Sequence, residues 1–349
     1  MKKVNRNTII GLDEIQFEVE TKTEVETGEI VSRITGKKLG VIKQCYGKRK
    51  GYYRVGICIP KIIREDNIRP VGLRDEIKLE QIINEIQDLL EDRFCVTLNK
   101  ANVSTCEVNA TALLKEKENV AKIMNLLALM FVQGNGKVMF TAHGADDTLY
   151  KNIPLDTDIL RKTMQIESLK TPCLGNKRFS FKFYDKSLEQ RIEDRGILRL
   201  EQIYTAKGIK QAKIPTRLDM FLSLDNIKKL MRAYQEDFQE YFINIYWEHE
   251  GKRFTEKCVN VIAEELKTET PFATAKIHRD LLKIDFKFFE KACYRHYKNR
   301  RSAQQVIRRM KKSKKICTQT GAVIELIEIF RSIIDEKSFS SEAEQFDKT

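Results

Sequence analysis

Phe179, Phe181 and Phe183 alternate with Ser180, Lys182 and Tyr184, the period-two pattern of a half-buried strand. A second run, Gly196 to Tyr204, follows at once, with Leu198 and Leu200 on one face and Arg199 and Glu201 on the other. Upstream, Leu12 to Thr21, Glu29 to Ile34, Lys38 to Tyr46 and Tyr52 to Pro60 read as strands, the last two flanking the turn Gly47-Lys48-Arg49-Lys50-Gly51. Leu79, Ile82, Ile83, Ile86, Leu89 and Leu90 recur at helical spacing and predict a helix over 78–93 that packs on the sheet. Cys95 to Leu98, Val103 to Leu114 and Lys137 to His143 predict further strands, with a helix over Glu118 to Val132 and a polar loop over Gly144 to Thr148. After Pro215 the period changes. Asn226 to Phe242, Arg253 to Lys267, Thr274 to Tyr297, Ala303 to Lys312 and Ala322 to Ile334 all read as helices.

The pattern predicts an α+β fold in which one antiparallel sheet carries helices on one face and an all-helical C-terminal domain follows. The expected division is 1–215 for the α+β domain, 216–337 for the basic helical domain and 338–349 for a frayed polar tail. On the open face opposite the phenylalanines, the sheet would carry Glu107, Asn109, Tyr184, Lys186 and Glu201.

Charge sharpens this picture. The chain of 349 residues has a formal net charge of +13, and between Lys276 and Lys315 fifteen Lys and Arg face three acids. The rest is close to neutral, so a balanced body carries one cationic region suited to a polyanion, most often nucleic acid. Arg300, Arg301, Arg308, Arg309, Lys311, Lys312, Lys314 and Lys315 are the candidate contacts, in a segment whose composition is that of the second helix of a helix-turn-helix. The hairpin tip Lys48, Arg49 and Lys50, beside Tyr46, Tyr52 and Tyr53, is a second candidate for backbone contact and base stacking. A solvated basic face would look similar in either place. Eight cysteines stand far apart with no zinc-knuckle or redox spacing, which argues against disulfides and structural zinc. No apolar run reaches membrane-spanning length and no signal peptide opens the chain, which predicts a cytoplasmic protein.

The chemistry-bearing group is Tyr184, Lys186, Arg199 and Glu201 on adjoining strands, with Glu107 on an earlier one. A phenol, cations and carboxylates on one sheet surface are the inventory for breaking a phosphodiester bond. Each has an ordinary structural explanation as well. A tyrosine ending a phenylalanine-rich strand is commonly packing, and Lys and Glu on paired strands commonly form a cross-strand ion pair.

The order apolar-X-apolar-Tyr-Asp-Lys-X-X-Glu, a short gap, then Leu-Arg-Leu-Glu resembles the core of plasmid and phage rolling-circle replication initiators. The resemblance is nearest to the Rep_trans class and to replication proteins related to the filamentous-phage endonuclease. It spans about residues 90–215 and implies a nicking domain of the HUH-like or RRM-like kind. It further implies that Tyr184 attacks a DNA phosphate at the replication origin, leaving a 5′-phosphotyrosine and a free 3′-hydroxyl primer. On this resemblance Lys186 stabilises phenolate and phosphate, Arg199 holds a phosphate, and Glu107, Glu201 and Asp185 bind Mg²⁺ or Mn²⁺. A single-stranded or hairpin nick site, a host helicase and polymerase, and a homodimer are the implied partners. The His-hydrophobic-His pair of many such enzymes is missing, since His143, His249, His278 and His296 stand alone. That selects the carboxylate-using subclass and leaves His143 as a spare ligand. Tyr150 is a rival nucleophile, and Tyr204 is disfavoured by parity. The competing readings are a non-catalytic origin-binding or repressor protein on the same fold, and an RNA binder with an RRM-like sheet.

Overall fold

The computed structural model describes residues 8–46, 51–64, 66–133, 138–144, 148–155, 163–175, 177–250, 286–312 and 321–334. Ten strands form one sheet: β1 (Thr8–Glu20), β2 (Gly28–Val31), β3 (Lys38–Gln44), β4 (Tyr52–Cys58), β5 (Ala101–Leu114), β6 (Met139–Gly144), β7 (Leu149–Pro154), β8 (Thr163–Lys170), β9 (Phe179–Asp185) and β10 (Gly196–Thr205). Their order across the sheet is β2-β3-β4-β1-β5-β10-β9-β8-β6-β7, and the pairings are antiparallel.

Register decides which side chains share a face. Phe179, Phe181 and Phe183 lie opposite Tyr204, Gln202 and Leu200 of β10. Those residues lie opposite Cys106, Val108 and Ala110 of β5. This face is covered by α1 (Glu76–Phe94), α2 (Asn119–Gln133), α3 (Leu224–Asp237) and α6 (Gly321–Ile334). The helix of α3 continues in wider π-type turns over Phe238–Glu250. Phe183 packs 4.9 Å from Phe242 and 5.7 Å from Phe131, while Phe181 meets Phe238 edge-on at 5.9 Å. Each buried phenylalanine contributes about 1.5–3 kcal/mol, so this cluster welds the helices to the sheet. Asp237 adds a polar tie, accepting from Arg178 at 2.9 Å, Gln202 at 3.0 Å and the Tyr204 hydroxyl at 2.9 Å. The expected face for Tyr204, away from Glu201, is the observed one.

Three local features depart from what the sequence pattern predicts. Cys95 to Leu98 is not a strand: Cys95 takes a left-handed φ of 53°, its N–H closes α1 on Glu91, and a 3₁₀ turn follows over Leu98–Lys100. Strands β7 and β8 occupy chain whose alternation is too weak to mark them in sequence. Tyr53 points into the core against Phe94, so of the three tyrosines near the β3–β4 tip it is unavailable for base stacking.

The strand β1 holds a decisive irregularity. Leu12 pairs with Val108, but the next partners are Glu14 and Glu107, leaving Asp13 as an extra residue. Ile10 and Leu12 before it, and Ile15, Phe17 and Val19 after it, are all buried. The bulge shifts the alternation by one place so that both halves of β1 keep their apolar side chains on the helix-covered face.

The basic segment contains α4 (Phe286–His296) and α5 (Arg300–Lys312), joined through Tyr297, Lys298 and Asn299. The Asn299 side chain accepts from the Arg301 N–H at 2.8 Å and starts α5. Among the described residues, no helix is long and apolar enough to cross a membrane. The helix expected over 253–267 and the tail over 338–349 lie outside the described residues.

Candidate active site: an acidic trio beside Tyr184

On the second face of the sheet, cross-strand pairing builds two adjacent rows. One row runs Tyr184, Arg199, Thr111 and Ile9; the next runs Lys182, Glu201, Asn109 and Gly11. Glu107 and Glu14 are paired one step further along. The bulge turns Asp13 towards the same place. One carboxylate oxygen each from Asp13, Glu107 and Glu201 lies within 4.8 Å of the others. Sequence reasoning placed Glu107 and Glu201 here and missed Asp13. The signal was present, because the buried apolar side chains of β1 are even-numbered up to Leu12 and odd-numbered from Ile15.

Three like charges so close are costly without a counter-charge. Burial, opposed by Arg199 and reinforced by Glu201, pushes the Asp13 carboxyl up to about 6. Burial again leads for Glu107, with Glu201, Glu14 and Asp13 adding to it, and raises that group well above the ordinary carboxylate range. Asp13 Oδ1 is buried without a hydrogen-bond partner, and the buried Glu201 Oε2 has only the Lys182 ammonium, 3.4 Å away. An unpartnered oxygen of Asp13 and a Glu201 oxygen held only by Lys182, facing a third carboxylate, fit a hard divalent cation, which takes oxygen donors.

Tyr184 is 6% exposed, and its hydroxyl donates to Glu201 Oε1. Burial, then the charge of Glu201, holds its pKa well above the usual value despite Arg199, so the group is a phenol as it stands. Arg199 is fully buried with all five N–H donors engaged. Nε donates to Thr111 Oγ1 at 3.1 Å; Nη1 donates to Asp13 Oδ2 at 2.9 Å and to the Tyr184 hydroxyl at 3.4 Å. Nη2 donates to the Asn67 and Ile68 carbonyls. The expectation of an uncovered face is therefore corrected: the segment from Asp66 to Val71 crosses over Arg199. Lys182 Nζ lies 3.4 Å from Glu201 Oε2 and 4.2 Å from the Tyr184 ring centroid. Burial alone would lower the Lys182 ammonium, but Glu201, Glu107 and Glu189 outweigh it and the pKa rises. Lys186 is fully buried, 5.7 Å from the same ring centroid and 2.6 Å from Glu189. Burial, helped by Arg199, lowers its pKa.

Asp185 does something other than expected. It sits at the end of β9 with the opposite parity to Tyr184 and caps the turn Lys186–Glu189, accepting from the Leu188 N–H at 3.0 Å and from the Ser187 hydroxyl at 2.5 Å. It stands outside the acidic trio. His143 pairs with Glu167 at 2.7 Å between β6 and β8, and Tyr150 stacks on Phe140; neither belongs to the trio. Of the cationic candidates, Arg300, Arg301, Arg308 and Arg309 are exposed on α5 while Ala303 and Ile307 are buried. Lys311 and Lys312 end α5, and Lys48, Arg49, Lys50, Lys314 and Lys315 lie outside the described residues.

No family model and no curated protein matches the sequence. Among solved structures, the chain is similar to a rolling circle replication initiator protein from Geobacillus stearothermophilus, with a TM-score of 0.35 and 8% identity. The alignment covers 67% of this chain and 85% of that one. At that level of likeness the functional reading must stand on the side chains.

Proposed function

We propose that this protein is a metal-dependent DNA strand-transferase that nicks one strand at a plasmid or phage origin and so initiates rolling-circle replication. The observation that carries the reading is the convergence of Asp13, Glu107 and Glu201, with a buried Asp13 oxygen that has no hydrogen-bond partner, on the hydroxyl side of Tyr184. Asp13, Glu107 and Glu201 would hold Mg²⁺ or Mn²⁺, which supplies positive charge to the scissile phosphate and the attacking oxygen. Tyr184 Oη attacks phosphorus, the bond to the 3′-oxygen breaks, and a 5′-phosphotyrosine forms. The phenolic proton passes to Glu201, its hydrogen-bond acceptor, and the departing 3′-oxygen takes up a proton to become the primer hydroxyl. Lys186 and Arg199 place two buried cations beside the phenol, which favours phenolate and balances charge gathering on the phosphorane. The exposed arginines of α5, on a helix pair joined by a short turn, are the proposed duplex grip, and 216–337 the region that carries it. Helicase, polymerase and a second copy of the chain remain partners implied by the resemblance.

The test is incubation with a supercoiled origin plasmid and Mn²⁺, followed by denaturing electrophoresis for a covalent protein–DNA product. Wild type forms it; Tyr184→Phe binds DNA and does not. The burial of the Tyr184 hydroxyl favours one alternative, a non-catalytic origin binder or repressor in which the tyrosine is structural. Tight origin binding by wild type without nicking or adduct would establish that alternative.

A further inference from the structure

The segment from Asp66 to Val71 is built as a strap. At its far end, Leu12 and Val71 exchange two backbone hydrogen bonds, each 2.9 Å. It presses on Gly11, where a Cβ would lie 2.5 Å from the Val71 carbonyl oxygen, so only glycine admits it. At its near end, the Asp66 carboxylate accepts from the Ile68 N–H at 2.9 Å, and the Arg69 carbonyl faces Arg64 at 3.4 Å. Between these ties, the Asn67 and Ile68 carbonyls take both outward donors of Arg199. The inward donors are held by Thr111, Asp13 and Tyr184.

We propose that the Arg199 Nη2 edge is a phosphodiester-binding subsite, occupied in the free protein by the strap, which a single-stranded nucleic-acid backbone displaces. This rests on the nicking reading above and adds what keeps that site closed. The strap offers two neutral carbonyls at the place where a phosphate offers charged oxygens, which add ion-pair attraction and the bidentate fit of guanidinium to phosphate. The exchange loses no donor on Arg199 and keeps its bond to Tyr184, so the arginine stays aimed while its outer partner changes. Lifting the strap frees the Nη2 donors while Nη1 stays with Asp13 and the Tyr184 hydroxyl. The strap thus keeps the Nη2 edge from water and from stray phosphates until a strand arrives.

Two experiments test it. Hydrogen exchange at the Leu12 and Val71 amides is followed with and without a mixed-sequence single-stranded DNA oligonucleotide. Faster exchange on binding supports the strap's release; unchanged or slower exchange with bound oligonucleotide overturns it, as does failure of any oligonucleotide to bind. In the second, Leu12→Cys/Val71→Cys closes the bridge by a disulfide, since a hydrogen-bonded antiparallel pair has the Cα spacing a disulfide needs. Oxidation should lower nicking roughly a hundredfold, the scale of losing one preorganised donor, and reduction of the same sample should restore it. Should this pair fail to fold, Gly11→Ala tests the opposite direction, because its Cβ forces the strap off and should raise exchange at Val71 before any DNA is added. Nicking that continues with the bridge oxidised overturns the strap and leaves the nicking reading intact. Strap release without nicking by wild type does the reverse.

Discussion

Replacing Asp13 by asparagine should stabilise the metal-free protein at neutral pH and remove its response to metal. In the unfolded chain the Asp13 carboxyl titrates at 3.8, and in the fold at about 6. A carboxyl raised in this way contributes stability that is fully present below 3.8 and is lost as pH rises through about 6. The difference corresponds to about 3 kcal/mol at pH 7.5, incurred because an ionised Asp13 is buried near Glu201 and Glu107 with Arg199 as incomplete compensation. The asparagine amide removes the charge, keeps an oxygen for Arg199 Nη1 and matches the shape. With EDTA at pH 7.5, Asp13→Asn should therefore melt higher than wild type, by roughly 5 °C, and the gap should close near pH 4. Saturating Mn²⁺ should raise wild type by an amount set by its free concentration over Kd, about 2.7 kcal/mol at a hundredfold excess, and should leave Asp13→Asn almost unmoved. Differential scanning fluorimetry across pH and metal concentration reads each of these conditions. A variant that melts lower than wild type in EDTA at pH 7.5, or that keeps the full Mn²⁺ shift, would refute the claim that Asp13 is a strained ligand.

Other consequences are open to measurement. Glu201→Ala should abolish metal-dependent nicking, and partial recovery at high Mn²⁺ in the nicking assay would mark direct ligation. Arg199→Lys leaves fewer donors for Asp13, Tyr184 and the strap, and urea unfolding should show a loss of about 3–5 kcal/mol; a loss below about 1 kcal/mol would mean that the network is not cooperative. Arg308→Ala/Arg309→Ala should leave folding intact, weaken duplex binding and lower the slope of log K against log salt by about 2, whereas an unchanged slope would remove α5 from the interface. Asp185→Ala should destabilise by about 1 kcal/mol as a lost cap while the Mn²⁺ shift persists, separating it from the trio.

The sequence exposed whatever is governed by simple alternation. Phe179, Phe181 and Phe183 fixed the parity of β9, and that parity brought Tyr184 together with Arg199 and Glu201; Glu107 followed from the same rule on β5. It failed where the period breaks. Asp13 was hidden because the bulge that aims it reads as an ordinary imperfection, and Asp185 was over-read because adjacency to Tyr184 in sequence puts it on the other side of a strand. The strap was invisible for a different reason: its hold on Arg199 uses backbone carbonyls, which carry no residue signature. Weakly alternating strands such as β7 (Leu149–Pro154) owe their place to neighbours already in the sheet, and no local pattern announces them.

The extra residue in β1 makes its length, more than its composition, the quantity that must be preserved. Deleting either Asp13 or Glu14 would give an unbroken alternation from Ile10 to Val19, a more regular strand by any propensity scale. Yet such a chain would fold around an incomplete ligand set, with the remaining acid turned out of place and Arg199 deprived of its anionic partner. Smoothing this strand for stability would thus trade away the clustering of Asp13 with Glu107 and Glu201, and the phase slip between its two halves is where regular pairing and that cluster compete for the same backbone.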